Sequence, residues 1–166
     1  MDLKAALKSQ YHAGLAMLKE VIEQCPEDLW DAGEHPRIFW RIAYHALFYT
    51  HLYLQLDEST FRPWEKNRGN IIFLDKMPWP PHAMPPKEKP YTKEELLEYW
   101  RTCDAMIDEG VERMDLNAQE CGFPWYHMKK LDHQMMNIRH LQQHVGQLTE
   151  RIYDAGQDLD WVGSAP

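Results

Sequence analysis

Cysteine is scarce: only Cys25, Cys103 and Cys121 occur, far apart along 166 residues. An odd, dispersed set excludes a disulfide framework and a paired CxxC metal site, and it suits a reducing cytoplasm. Basic runs are missing too. None exceeds Lys129-Lys130, and 26 acidic residues against 18 basic ones give a formal charge of −8. Such a surface repels phosphate backbones and anionic headgroups, which argues against nucleic-acid and membrane partners. The N-terminal MDLKAALKSQ lacks the continuous apolar core and cleavage site of a secretory signal. The most apolar stretch, Ile38 to Leu56, carries Arg41, His45 and His51, which would be costly inside a bilayer. It predicts a buried helix of a soluble protein. No segment of useful length has the two-residue period of a strand, and no internal repeat is visible.

What is present is bulky apolar material: 44% hydrophobic residues, with 7 Trp, 8 Tyr and 9 Met. A chain of this length forms one domain and buries roughly two thirds of the surface its unfolded form exposes. Leu3, Leu7, Tyr11, Gly14, Leu18, Val21 and Cys25 recur at steps of three or four, predicting a helix over 2–24 that Pro26 ends. A second, nearly all-apolar helix is expected from Pro36, suited to the first helical position, to about Leu56. Thr92 and Glu95 form a capping box, with Tyr91 and Leu96 as its hydrophobic staple, for a third helix. Its core stripe runs through Leu96, Trp100, Cys103, Ile107, Gly110 and Met114. The fourth is expected over 131–153, with Gly156 closing it in a left-handed cap.

Four helices of about 20 residues predict an all-α four-helix bundle over 1–156, followed by an irregular tail over 157–166. Seven of the 11 prolines fall between Asp57 and Pro90, so no helix crosses that segment. Trp64, Ile71, Ile72, Phe73, Leu74 and Trp79 are too apolar for a solvated linker. This long connection between the second and third helices is expected to pack on the bundle and to shape a pocket mouth. The other connection, from Asp115 to about Lys130, contains Gly122 and Pro124.

His140 and His144 lie four apart on the fourth helix, so their rings leave one face a turn apart and can grip one ion. His45 sits mid-way along the second helix, among Ile38, Ile42, Phe48 and Leu52, and is expected to point inward. Nine histidines give about 0.5 such spacings by chance, so spacing alone proves little. Three buried imidazoles without a shared partner would each need separate satisfaction, whereas one metal satisfies one nitrogen of each. The competing possibility is a hydrogen-bonded core His45 with His140 and His144 on a solvated edge. There is no HExxH pair and no Glu-x-x-His motif, which disfavours a carboxylate-bridged dinuclear centre. His51 projects from another face, and His133 lies two turns from His140, ~10 Å along the axis. His12, His35, His82 and His127 read as surface or loop residues. Arg41, Tyr49, Asn137 and Gln147 sit about one turn from the proposed ligands and are candidates to orient them or bind substrate, although ordinary helix packing accounts for them as well.

The segment Arg139-His140-Leu141-Gln142-Gln143-His144-Val145-Gly146-Gln147 resembles the HxxxHxGQ signature of the DinB/YfiT-like metalloenzyme family. Pro26-Glu27-Asp28-Leu29-Trp30 resembles that family's exit from its first helix, and Ile42-Ala43-Tyr44-His45 its second-helix metal histidine. The resemblance implies a four-helix bundle in which His45, His140 and His144 ligate a divalent metal. Val145 stands where many relatives have Arg, and the Pro- and Trp-rich connection is unusual for the family. Activities assigned within the family imply transfer or isomerisation with low-molecular-weight thiols, and its members often form homodimers.

Three protein nitrogens leave a coordination position open, as in catalytic zinc sites. The first expectation is therefore a metal-dependent enzyme, thiol S-transferase-like or hydrolytic, that activates a thiol or water against a small-molecule substrate. Imidazole suits several metals, with zinc or nickel foremost and iron also compatible. A second expectation is a non-catalytic bundle that binds metal or a small ligand. The third is a structural helical protein that dimerises through exposed aromatic surface.

Overall fold

A computed structural model describes residues 2–165, and among them the regular structure is entirely helical. Helix α1 spans Leu3–Gln24, the single turn α2 Glu27–Trp30, and α3 Phe39–Tyr53. After the long connection come α4, Lys93–Ala105, α5, Ile107–Arg113, and finally α6, Lys130–Asp154. Among the described residues, no helix is long and apolar enough to cross a membrane.

Local chemistry sets most boundaries. The Asp2 side chain accepts the Ala5 amide at 3.0 Å and starts α1. Thr92 and Glu95 exchange both bonds of the expected capping box at α4. Helix α6 ends in a Schellman motif. Gly156 stands at φ +81°, its amide donates to Tyr153 O, and the Gln157 amide donates to Ile152 O. These bonds satisfy carbonyls that the helix end would otherwise orphan.

Two of the expected helices differ in their boundaries. The second long helix begins at Phe39 rather than Pro36, because Arg37 N bonds Glu34 O and Phe39 N bonds Ala32 O. Pro36 thus belongs to a turn before the helix, and the C-terminal end also falls three residues earlier than Leu56. The third helix is divided at Met106, whose backbone leaves ideal helical values (φ −90°, ψ −9°). Its stripe still faces inward, with Leu96, Cys103, Ile107 and Met114 almost fully buried.

Helix α6 packs between α1 and α3, while α4 packs against α1 and α3, and α5 against α1. Helices consecutive in the chain are therefore not always principal neighbours. The core joins Leu15, Leu18 and Ile22 of α1, Leu47 of α3, Leu96 and Cys103 of α4, and Leu141, Leu148 and Ile152 of α6. The amino-terminal half of α6 is unusual because it buries polar side chains. His133, Gln134 and Asn137 have no exposure, and polar groups there require partners. Gln134 bonds the Tyr11 hydroxyl (2.7 Å) and Tyr53 O (2.9 Å), and Asn137 donates to the same hydroxyl at 2.9 Å.

The Pro-rich connection packs against the helices. Trp64 stacks on Tyr99, centroids 4.6 Å apart and planes 5° from parallel, and Ile71 is buried. Arg41, wholly buried on α3, donates to Ile71 O at 2.7 Å and Pro86 O at 3.0 Å. The tail over 157–165 is irregular and lies along α1, where Ser9 donates to Ala165 O and Asp160 N to Glu20. All three cysteines are free and buried.

Candidate metal centre

His45 projects from the middle of α3, and His140 and His144 from successive turns of α6, the helix packed beside it. The structure brings these three rings together. Nε2 of His140 lies 3.1 Å from Nε2 of His45 and 3.1 Å from Nε2 of His144. Candidate ligand atoms of all three lie within 4.8 Å of one another. His144 is buried, and His45 and His140 are half-buried.

The remaining ring nitrogens show why the Nε2 atoms face each other. His45 Nδ1 is 2.5 Å from Ile72 O, which can only accept, so Nδ1 carries the proton and Nε2 presents a lone pair. His144 Nδ1 donates to Gln147 Oε1 at 2.8 Å, with the same consequence. His140 has no such partner, for its Nδ1 is buried without a hydrogen bond. A proton on His140 Nε2 would have to be shared between two acceptors; a proton on Nδ1 would be a buried orphan, leaving three lone pairs converging. Either arrangement leaves polar capacity unsatisfied, at a cost of ~1–3 kcal/mol.

A cation resolves that conflict by accepting all three lone pairs. At the usual metal–imidazole distance, ~2.0–2.1 Å, nitrogens 3.1 Å apart subtend ~95–100°, between octahedral and tetrahedral values. The residues therefore fit a divalent transition metal. Burial holds His45 well below the ordinary imidazole value, with the neighbouring His144 adding to the effect. It lowers His140 to about 4 and also depresses His144. All three are thus neutral near pH 7, the form that binds metal.

The four flanking candidates separate. Gln147 touches a proposed ligand, His144. Tyr49 packs its ring against His45 (4.7 Å) and His140 (5.4 Å), and burial raises its phenol to about 12, so it stays protonated. Arg41 instead grips the connection through Ile71 and Pro86, and Asn137 bonds Tyr11 and Thr50 O. Neither is hydrogen-bonded to a proposed ligand. His51 turns away to the Tyr99 hydroxyl at 3.0 Å, and His133 stacks on Phe123 at 4.9 Å. His12 is not a free surface group, because its Nδ1 lies 2.8 Å from Asp104.

Two cavities reach the triad from different sides. One, of about 520 Å³, borders His45 and His144 and is lined by Arg37, Gln143, Glu150 and Arg151. The other, of about 680 Å³, borders His45 and His140 and is walled by aromatic rings of α3 and both long connections. Phe73 and Trp79 come from the Pro-rich segment, and Trp125 and Tyr126 from the segment before α6. Sequence reasoning assigned a pocket mouth to the first segment and missed the second, whose only signal was an adjacent Trp-Tyr pair in an aperiodic stretch. No family model matches the chain, and no curated protein or solved structure matches it, so the centre stands on its own geometry.

Proposed function

We propose that this chain is a metal-dependent enzyme of the DinB/YfiT-like kind, with one divalent transition metal, zinc or nickel foremost, held by His45, His140 and His144. In this reading α4 and α5 count as one interrupted helix, and with α1, α3 and α6 they complete a four-helix bundle. The observation that carries the proposal is the pair of 3.1 Å Nε2 separations centred on His140. Support comes from the outward nitrogens of His45 and His144, both occupied by oxygen acceptors that fix the tautomer.

A divalent cation bound by three uncharged imidazoles retains its full charge and supplies Lewis acidity that lowers the pKa of a thiol or water. The chain's own contributions are orientation and access. Ile72 O and Gln147 hold the rings of His45 and His144, Tyr49 screens one side of the triad, and the two cavities offer separate approaches. A thiol nucleophile and its acceptor can thus enter by different routes. That arrangement favours transfer between two small molecules over a single-substrate reaction.

Metal analysis of protein purified without a histidine tag tests this. The expected result is one transition metal per chain, lost in His144→Ala, with thiol-transfer activity dependent on that metal. Absence of stoichiometric metal from the parent protein, or unchanged content in His144→Ala, would refute it. A non-catalytic ligand-binding bundle has one observation in its favour: Glu58 and Glu150, the acids lining the two cavities, are both exposed rather than held beside the triad. Metal binding without turnover of any thiol or hydrolysable ester would select that reading.

A further inference from the structure

The aromatic cavity is unlike the rest of the surface. Its volume, about 680 Å³, lies within the usual range for small-molecule sites, and such sites are mostly apolar with a few placed polar groups. Here the polar groups include the imidazoles of His45 and His140 beside the phenols of Tyr49, Tyr53 and Tyr126, and the sole formally charged lining residue is the exposed Glu58. Of the arginines near the triad, Arg37 and Arg151 line the other cavity and Arg41 is bonded to the carbonyls of Ile71 and Pro86.

Phe73 meets Trp79 at 85°, Phe48 meets Phe61 at 79°, and Tyr53 meets Tyr126 at 72°. These pairs of lining rings meet edge to face and do not stack on one another. The two face-to-face stacks, Trp64 on Tyr99 and Phe123 on His133, involve no two rings of this cavity. Trp79 and Trp125, from two different connections, remain 45% and 48% exposed. Large indoles held half in water around a concave space are what a flat guest would cover, and stacking is worth more than the area alone.

We infer that the substrate of this centre carries an uncharged aromatic ring system that lodges in this cleft, with its polar substituent directed at His45 and His140. A small molecule fits better than a protein segment, because the space is concave and ends at the triad. In the metal-free chain an anion is disfavoured, since a buried carboxylate would meet no cationic side chain of the cavity lining and would face Glu58. The placement of the substituent rests on the metal proposal, whereas the binding of the ring does not.

Calorimetric titration of the metal-free full chain with 1-naphthol tests the ring site alone. Saturable binding of one molecule per chain is expected, weakened at least tenfold in Trp125→Ala and in Trp79→Ala and unchanged in Trp161→Ala, a residue outside the cleft. 1-Naphthoate is expected to bind at least tenfold more weakly than 1-naphthol. No saturable binding, affinities indifferent to both cleft tryptophans, or naphthoate binding as tightly as naphthol would overturn the inference. Zinc loading separates the two proposals. It is expected to tighten 1-naphthalenethiol at least tenfold, and a thiol affinity unmoved by zinc, with naphthol binding intact, would leave the ring site standing and remove the metal reading.

Discussion

Acidification in the presence of a chelator is expected to destabilise the fold through its buried histidines, of which two lie outside the triad. His133 is fully buried between Phe123 and Tyr53, with centroids at 4.9 and 4.7 Å, and its Nε2 has no partner. His51 is 5% exposed beside the Tyr99 hydroxyl. Burial lowers each from 6.5 to about 4, and the Lys130 ammonium adds to the effect on His133. Because the folded pKa lies below the unfolded one, the unfolded chain binds more protons between these values. The fold is therefore at full stability above pH 6.5 and loses it as pH falls towards 4. A shift of this size amounts to about 3 kcal/mol per histidine, or about 6–7 for both. That is comparable with a typical domain's whole stability of ~5–15 kcal/mol. Urea unfolding at pH 7, 6 and 5 measures the slope. In His133→Phe, an aromatic replacement that leaves Gln134 its bond to Tyr53 O, the slope near pH 5 is expected to fall by one proton, about 1.4 kcal/mol per pH unit. An identical slope in parent and variant would refute the assignment of a neutral buried His133.

Three further outcomes follow from the same structure. Zinc or nickel at a hundredfold excess over its Kd is expected to stabilise the chain by about 2.7 kcal/mol, raising Tm by roughly 5–10 °C, and scanning calorimetry is expected to show no rise in His144→Ala. Gly122→Ala combines a φ of +90° with a Cβ driven into Leu56 O; a loss of ~2–3 kcal/mol in urea unfolding is expected, and a neutral result would contradict the described turn. Thr92→Ala removes the acceptor for the Glu95 amide and is expected to cost about 1 kcal/mol in the same measurement, while Thr92→Ser retains it.

What could be read in advance divides along physical lines. Caps and terminators are local, so Thr92 with Glu95 and the left-handed Gly156 were visible in residue type alone. The break at Met106 was not, because Ala105-Met106-Ile107 contains neither Gly nor Pro and the inward stripe continues across it. The start of α3 at Phe39 was hidden for another reason. Pro36 carries a true helix-start signal, but the carbonyl that takes the Phe39 amide belongs to Ala32, in the preceding turn. Hydrophobic periodicity reports which face turns inward and nothing about which distant backbone atom closes a turn.

The site divides in the same way, with one exception. His140 and His144 share a helix face by their spacing, and His45 was singled out by the apolar residues around it; the helices carry that information. The cleft walls come from aperiodic segments, where Trp79 and Trp125 acquire meaning only once two connections have folded towards the same place. Helices would then decide which nitrogens converge, and connections what else can reach them. Ile72 joins the two, because it lines the aromatic cavity while its carbonyl accepts the His45 Nδ1 proton. A backbone acceptor has no signature in residue type, yet this one fixes which nitrogen of His45 faces the other two. Arg41 holds the same stretch in place by donating to the adjacent carbonyl of Ile71. The Pro-rich connection is thus part of the centre itself: loosening its hold on α3 would disturb the orientation of His45 and the cavity wall together.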